Sequence, residues 1–267
     1  MEKDNMFESI IKSASTLPYV KISRDEFLQK ALQRYCPKNQ IEKAIEYSPA
    51  HAGIYSGLID KIALNHIKLE TQKVTALSVA AGIPGGLAMA ATIPADLVQY
   101  FGHIMRVSQK LAYLYGWQDF SDFDEETEAY LILFIGIMFG VDGATKAVAE
   151  VTKIAAPAVA RNVAKLPLAK GVLYPVIKKM LAQIGIRLNK SLFAKSVAKL
   201  VPILGGAVSG GLTWATFMPM SIKLQKELKT FIQASPDFFA PASDDVIIDV
   251  DFTEAVEQDD STGQDEE

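Results

Sequence analysis

The chain has 267 residues, 49% of them hydrophobic and 22% charged, enough to bury a sizeable core as one large domain or two small ones. Its single cysteine, Cys36, excludes an internal disulfide and fits a reducing compartment. The net charge of −4 hides an asymmetry. Residues 236–267 hold 12 acids and no base, which leaves 27 basic against 19 acidic residues in 1–235, a body charge of +8.

The N-terminus, M-E-K-D-N-M-F-E-S, has acids and no long apolar core, so it does not read as a secretory signal. A cytoplasmic location is expected. A short helix is predicted over Asn5 to Ala14. Ser23-Arg24-Asp25-Glu26 is a capping box, so a second helix should start at Ser23 and run to about Tyr35, before Pro37. A third spans about Asn39 to Tyr47 and stops at Ser48-Pro49. Residues 1–49 thus form an N-terminal helical segment.

A longer helix is predicted from Ile54 to about Ala81, with Leu58, Ile62, Leu69 and the Val74/Leu77 region in helical period. It enters an uncharged stretch, Val74 to Ala95, broken by Pro84-Gly85-Gly86. A second uncharged stretch, Leu200 to Ile222, repeats the pattern G-G-L-x-x-A-x-x-x-P. Gly85, Gly86, Leu87, Ala90 and Pro94 recur as Gly210, Gly211, Leu212, Ala215 and Pro219. Each stretch should be two helical pieces meeting at a bend. Gly82, Gly85 and Gly86, and later Gly205, Gly206, Gly210 and Gly211, are read as close-packing glycines. Lys68 and Lys73 precede the first stretch, and Arg106 and Lys110 follow it. Lys195 and Lys199 precede the second, with Lys223 and Lys226 after it. Positive charge at both ends argues against a simple crossing. A re-entrant hairpin, a buried core hairpin and two true spans remain open.

After the break, Leu87 to Gly116 should be helical and bent at Pro94. Leu97, Phe101, Ile104, Leu111 and Leu114 mark its apolar side. Asp96, Gln99, His103, Arg106 and Lys110 form a polar stripe. Asp96, His103, Arg106 and Lys110 are the best polar constellation in the chain. A structural salt bridge or helix cap is the reading for Asp96, with a ligand or catalytic role as the alternative. Trp117 to Phe123 reads as a loop. Asp124-Glu125-Glu126 opens a helix that continues as Ala129 to Gly140, too short to span a bilayer. Helices follow over 143–164 and 171–184, and Ser191 to Leu200 is basic and amphipathic. The second repeat and Ser221 to Gln233 complete a helical domain of residues 50–235.

Between Val151 and Lys226 there are 12 Lys or Arg and no Asp or Glu. Such a surface attracts anions. Lys178, Lys179, Arg187, Lys190, Lys195 and Lys199 are the candidates for contact with anionic lipid. The tail, 236–267, is acidic and should be disordered. Within it Val246, Ile248, Val250 and Phe252 alternate with acids, a linear-motif pattern able to dock on the basic body.

Standard chemistry is missing from the motifs. His51, His66 and His103 lack metal-ligand spacing, so no metal is expected. No phosphate-cradling loop, dinucleotide fingerprint or nucleophile elbow is present, so no cofactor and no catalytic residue is assigned. The basic region is interleaved with Ala, Val and Leu rather than with stacking aromatics, so no nucleic-acid partner is expected.

Pro94-Ala95-Asp96, Arg106, Leu111-Ala112, Tyr115-Gly116 and Asp119 resemble the motif of the EcsC family of bacterial proteins. Gly82-Ile83-Pro84-Gly85-Gly86 and Val201-Pro202-Ile203-Leu204-Gly205-Gly206 are similar to that family's small-residue segments. The likeness covers about residues 50–233. Thr213-Trp214 and Met220-Ser221 depart from its more polar pattern. It implies a largely helical protein with no established enzymatic activity, named after an operon that also encodes an ABC transporter.

The sequence therefore leads to an all-α bundle with two glycine-rich broken-helix hairpins. Its expected role is non-enzymatic binding of anionic lipid or a membrane-protein partner, peripheral to the inner face of the membrane. The acidic tail would act as an autoinhibitory contact. The alternatives are a soluble adaptor for a partner such as a transporter subunit, an enzyme or carrier for an apolar small molecule, and a pore-forming protein.

Overall fold

The computed structural model describes residues 2–82, 88–150, 175–186 and 202–234. The fold is all-α. Its helices are α1 (Glu2–Ser15), α2 (Arg24–Leu32), α3 (Lys38–Glu46), α4 (Ser56–Gly82), α5 (Ala88–Leu114) and α6 (Glu125–Phe139). Helical residues 144–150 belong to α7 and 175–186 to α8, and α9 is Pro202–Ala234.

Local chemistry sets most boundaries. The Ser23 hydroxyl accepts from the Glu26 N–H at the start of α2. That helix ends at Leu32, short of Tyr35. The Tyr35 and Cys36 N–H groups both turn back to the Leu32 carbonyl, ahead of Pro37. Asp124 caps α6 by accepting from the Thr127 N–H at 2.9 Å. Gly140, at φ 67°, closes the same helix in the left-handed conformation that glycine adopts without strain.

α4 and α5 run antiparallel, since Asp60 meets Tyr115 and Glu70 meets His103 and Lys110. α4 and α9 also run antiparallel: Asp60 meets Lys229, and Ser78 meets Thr213. α6 is buried all round from Ala129 to Met138, as its uninterrupted apolar run requires. Trp117, Tyr130, Phe120 and Phe134 stack edge to face in the core beside it. α1 seats Phe7 against Phe101 of α5, so the N-terminal helices share this core.

Two expectations change. The second glycine-rich stretch is not a broken hairpin: α9 is one helix through Gly205, Gly206, Gly210, Gly211 and Pro219. Pro202 stands in the first turn, where its missing N–H costs nothing. Packing then outweighs propensity, for Phe217, Leu224 and Leu228 are fully buried. Gly210 packs as expected, since a Cβ there would lie 2.4 Å from Val79 Cγ2, whereas Gly211 faces open space and is no close-packing residue. The polar stripe of α5 lies on one side, as its spacing predicts. From Phe101 to Trp117 every residue except Arg106 is buried, so the polar stripe points into protein.

The break at Pro84-Gly85-Gly86 lies outside the described residues. So do the basic helix 191–200, Arg187, Lys190, Lys195, Lys199 and the tail motif Val246, Ile248, Val250 and Phe252. Among the described residues no helix is long and apolar enough to cross a membrane, so the two-span reading has no support there.

Candidate functional site

On α4, Ile59, Ile62, Ala63, Ile67 and Val74 recur at helical spacing and are buried. Glu70 occupies the same stripe and is fully buried. A carboxylate cannot stay charged there without partners. α5 supplies them. His103, Arg106 and Lys110 follow at steps of three and four, so all three face α4. Lys110 Nζ lies 2.5 Å from Glu70 Oε1, and His103 Nδ1 lies 2.8 Å from Oε2. Arg106 Nε is 3.4 Å from Oε1, with Lys73 Nζ at 3.8 Å.

Burial alone would raise the Glu70 carboxyl. The His103 hydrogen bond and the charges of Lys110 and Arg106 override that effect and hold it well below the usual carboxylate range. Burial pulls the Lys110 ammonium down, against the opposing pull of Glu70. With Glu70 ionised, His103 Nδ1 carries the proton and donates it. Tyr19 closes the outer side. Its carbonyl accepts from Arg106 Nη1, its hydroxyl donates to Gln99, and its ring lies 5.8 Å from the Arg106 guanidinium.

Two further polar knots fix the same end of the bundle. The buried Arg24 guanidinium donates to Trp117 O at 3.0 Å, Ile45 O at 2.5 Å and Tyr47 O at 2.8 Å. It thereby satisfies carbonyls at the C-terminus of α3. Nearby, Asp119 accepts from the Arg24 N–H at 3.2 Å and lies 3.0 Å from the Tyr113 hydroxyl. Asp60 accepts from Tyr115 Oη at 2.7 Å and from Lys229 Nζ at 2.5 Å, joining α4, α5 and α9. Burial and these carboxylates push the Tyr113 and Tyr115 phenols well above their ordinary value.

A cleft of about 550 Å³ opens between α2, α4 and α5. Arg106 and Lys110 form part of its lining, and Lys21, Lys30 and Arg34 stand exposed around it. Phe27, Ile62 and Leu69 give it an apolar wall. His66 packs its ring edge-on against Phe27 at 4.9 Å. Burial, helped by the Lys110 charge, lowers His66 to about 4, so it is neutral at pH 7.

Of the residues singled out in the sequence, His103, Arg106 and Lys110 come together around Glu70. Asp96 is half-buried and lies two turns away along α5. Lys178 and Lys179 are exposed on α8. Sequence reasoning missed Glu70, Arg24 and Asp60. The signal for Glu70 was a lone acid on the apolar period of a helix. The other two carry no such mark, because their partners lie on distant elements.

Among the described residues no group of three His, Cys, Asp or Glu side chains is placed to hold a metal ion. No family model, curated protein or solved structure matches the chain.

Proposed function

We propose that the chain is a non-enzymatic, peripheral protein that docks on anionic membrane surfaces at the cytoplasmic face. The observation that carries this is the pairing of α4 with α9. Because the two helices are antiparallel, their uncharged segments, Val74–Gly82 and Pro202–Ile222, lie at the same end of the bundle. Leu77, Val79 and Trp214 are exposed there, at 46%, 36% and 41%. The opposite end holds the charged residues of both helices. An apolar tip bearing a tryptophan suits the boundary between head groups and acyl chains. Burying the exposed parts of three such side chains contributes about 1 kcal/mol each. The body charge of +8 adds attraction to an anionic leaflet, roughly 1 kcal/mol per basic residue near the surface.

The same proposal includes kinship with the EcsC family. In its support, Arg106, Tyr115 and Asp119 of the motif each take part in a different polar knot. It also keeps the acidic tail as a competitor for the basic body. Deleting residues 236–267 should then strengthen vesicle binding at low salt.

The test is vesicle flotation combined with tryptophan emission. Trp117 is 2% exposed and silent toward solvent, so Trp214 is the reporter. Vesicles containing phosphatidylglycerol should shift its emission to the blue and carry the protein upward. Pure phosphatidylcholine should do so weakly. L77S/V79S should lose flotation. Equal recovery in the unbound fraction with both vesicle types would end the proposal and leave a soluble adaptor.

A further inference from the structure

We infer that the cleft between α2, α4 and α5 is a binding site for a terminal phosphate group, seated over Arg106 and Lys110 beneath Lys21, Lys30 and Arg34. Nothing in the membrane reading requires this site. Leu69, at its edge, lies ten residues from Val79, about 15 Å along α4 from the apolar tip.

Charge is the first argument. Five cations line the cleft against one acid, Glu26. Counting Glu70 behind Arg106 and Lys110 still leaves +3. Glu70 cannot consume this surplus. Its Oε1 already serves Lys110, Arg106 and Lys73. Lys110 has three N–H donors and places one on Glu70. Arg106 has five. Nε goes to Glu70 and one hydrogen of Nη1 to the Tyr19 carbonyl, so these two anchors use two of the five. A guanidinium fixed at two of its nitrogens in the lining of the cleft is preorganised to meet a phosphate with its remaining donors.

Shape and polarity are the second argument. A volume of about 550 Å³ falls in the range of small-molecule sites. Phe27, Ile62 and Leu69 offer an apolar wall beside the cations. His66 and Asn65 add hydrogen-bonding groups without further charge. The ligand class that matches is a phosphomonoester joined to an apolar body. A phosphatidic-type head group and a free phosphorylated metabolite share that chemistry.

Calorimetric titration of the full chain at low salt tests the site. The probes are inorganic phosphate and a short-chain phosphatidic acid below its critical micelle concentration, with short-chain phosphatidylcholine as control. Saturable binding of one phosphatidic acid per chain is expected, with no saturation by phosphatidylcholine. If inorganic phosphate also saturates and competes, a free phosphate suffices. If it does not, the site takes a lipid-like ester. K30A/R34A changes only exposed residues and should weaken binding about tenfold or more. K38A/K43A removes the same charge from exposed positions on α3, outside the cleft, and should bind as the unmodified chain does. Equal losses in the two variants, or no saturation with either phosphate probe, would overturn the inference. A failed titration alongside intact vesicle flotation would remove the cleft and keep the membrane proposal.

Discussion

Glu70→Gln is the sharpest perturbation available. Glutamine keeps the volume and an acceptor oxygen but removes the charge. In its place Lys110 at 2.5 Å and Arg106 at 3.4 Å lose their shared counter-ion, and His103 at 2.8 Å loses a carboxylate acceptor. The new NH2 group also faces a donor on one side or the other. Lys110 is 7% exposed and cannot turn to water without moving the α4–α5 contact. Breaking a buried pair from one side costs about 3–5 kcal/mol. For a domain of this size each kcal/mol moves the midpoint by about 2–4 °C, so Tm should fall by roughly 6–20 °C. Urea melts followed by circular dichroism give the companion measurement, with the midpoint lowered and the slope unchanged. Replacing Glu70 and its nearest cation, in E70L/K110M, removes the most buried of the unpaired charges along with the pair. That variant should lose clearly less than the sum of E70L and K110M, by about 1–3 kcal/mol. A loss under about 1 kcal/mol in E70Q, or strict additivity in the cycle, would refute the claim that Glu70 organises this cluster.

Neighbouring glycines of α9 should respond with opposite sign. Gly210→Ala sets a methyl 2.4 Å from Val79 Cγ2 and should lose about 1 kcal/mol net in urea melts, recovered by V79A. Gly211→Ala meets nothing and should gain about 0.5–1 kcal/mol from helix propensity. His66 gives a pH dependence. Its folded value, about 4, lies below its ordinary 6.5, so its contribution is complete above 6.5 and is lost as pH falls toward 4. Between pH 7 and pH 5 the unmodified chain should lose up to about 2 kcal/mol more stability than H66Q, read from urea midpoints at the two pH values. The Glu70 contribution has the same sign but a lower window, being lost only as pH drops below the ordinary carboxylate range.

The all-α class was legible because the apolar spacing and the caps at Ser23, Asp124 and Gly140 act within one turn. The surroundings of α5 were not. Its charged and apolar residues recur at helical spacing, which marks a polar stripe but not the group that the stripe meets. Burial of that face depends on Glu70, which is 33 residues from His103 and 40 from Lys110 in sequence. Amphipathicity reports how a helix divides its side chains, not whether the polar side meets water or a carboxylate. The glycines of α9 misled for a related reason. Gly-Gly lowers helix propensity in isolation, and Gly210 instead allows α4 to approach closely enough to hold the helix together. The cleft was invisible because its cations come from two stretches far apart in sequence, 21–34 and 106–110.

Under the proposed function, the buried charges serve to hold the fold rather than to carry out chemistry. A general acid or base works best with a pKa near the working pH and a path to substrate. Here the ionisable groups with the strongest shifts are moved away from neutrality. Glu70 is held down by three donors, while Tyr113 and Tyr115 are pushed up by burial and carboxylates. Each also serves as a tie between elements: Glu70 between α4 and α5, Tyr113 to Ile22 and Asp119, Tyr115 to Asp60 and Gln225. Side chains used in this way keep a geometry rather than exchange protons. What the ties hold in place is an asymmetric helix pair, charged and cross-linked at one end, uncharged and apolar at the other. They also hold Arg106 by Nε and Nη1 in the lining of the cleft. For the proposed phosphate site, a guanidinium already anchored in this way needs little reorganisation to meet an anion.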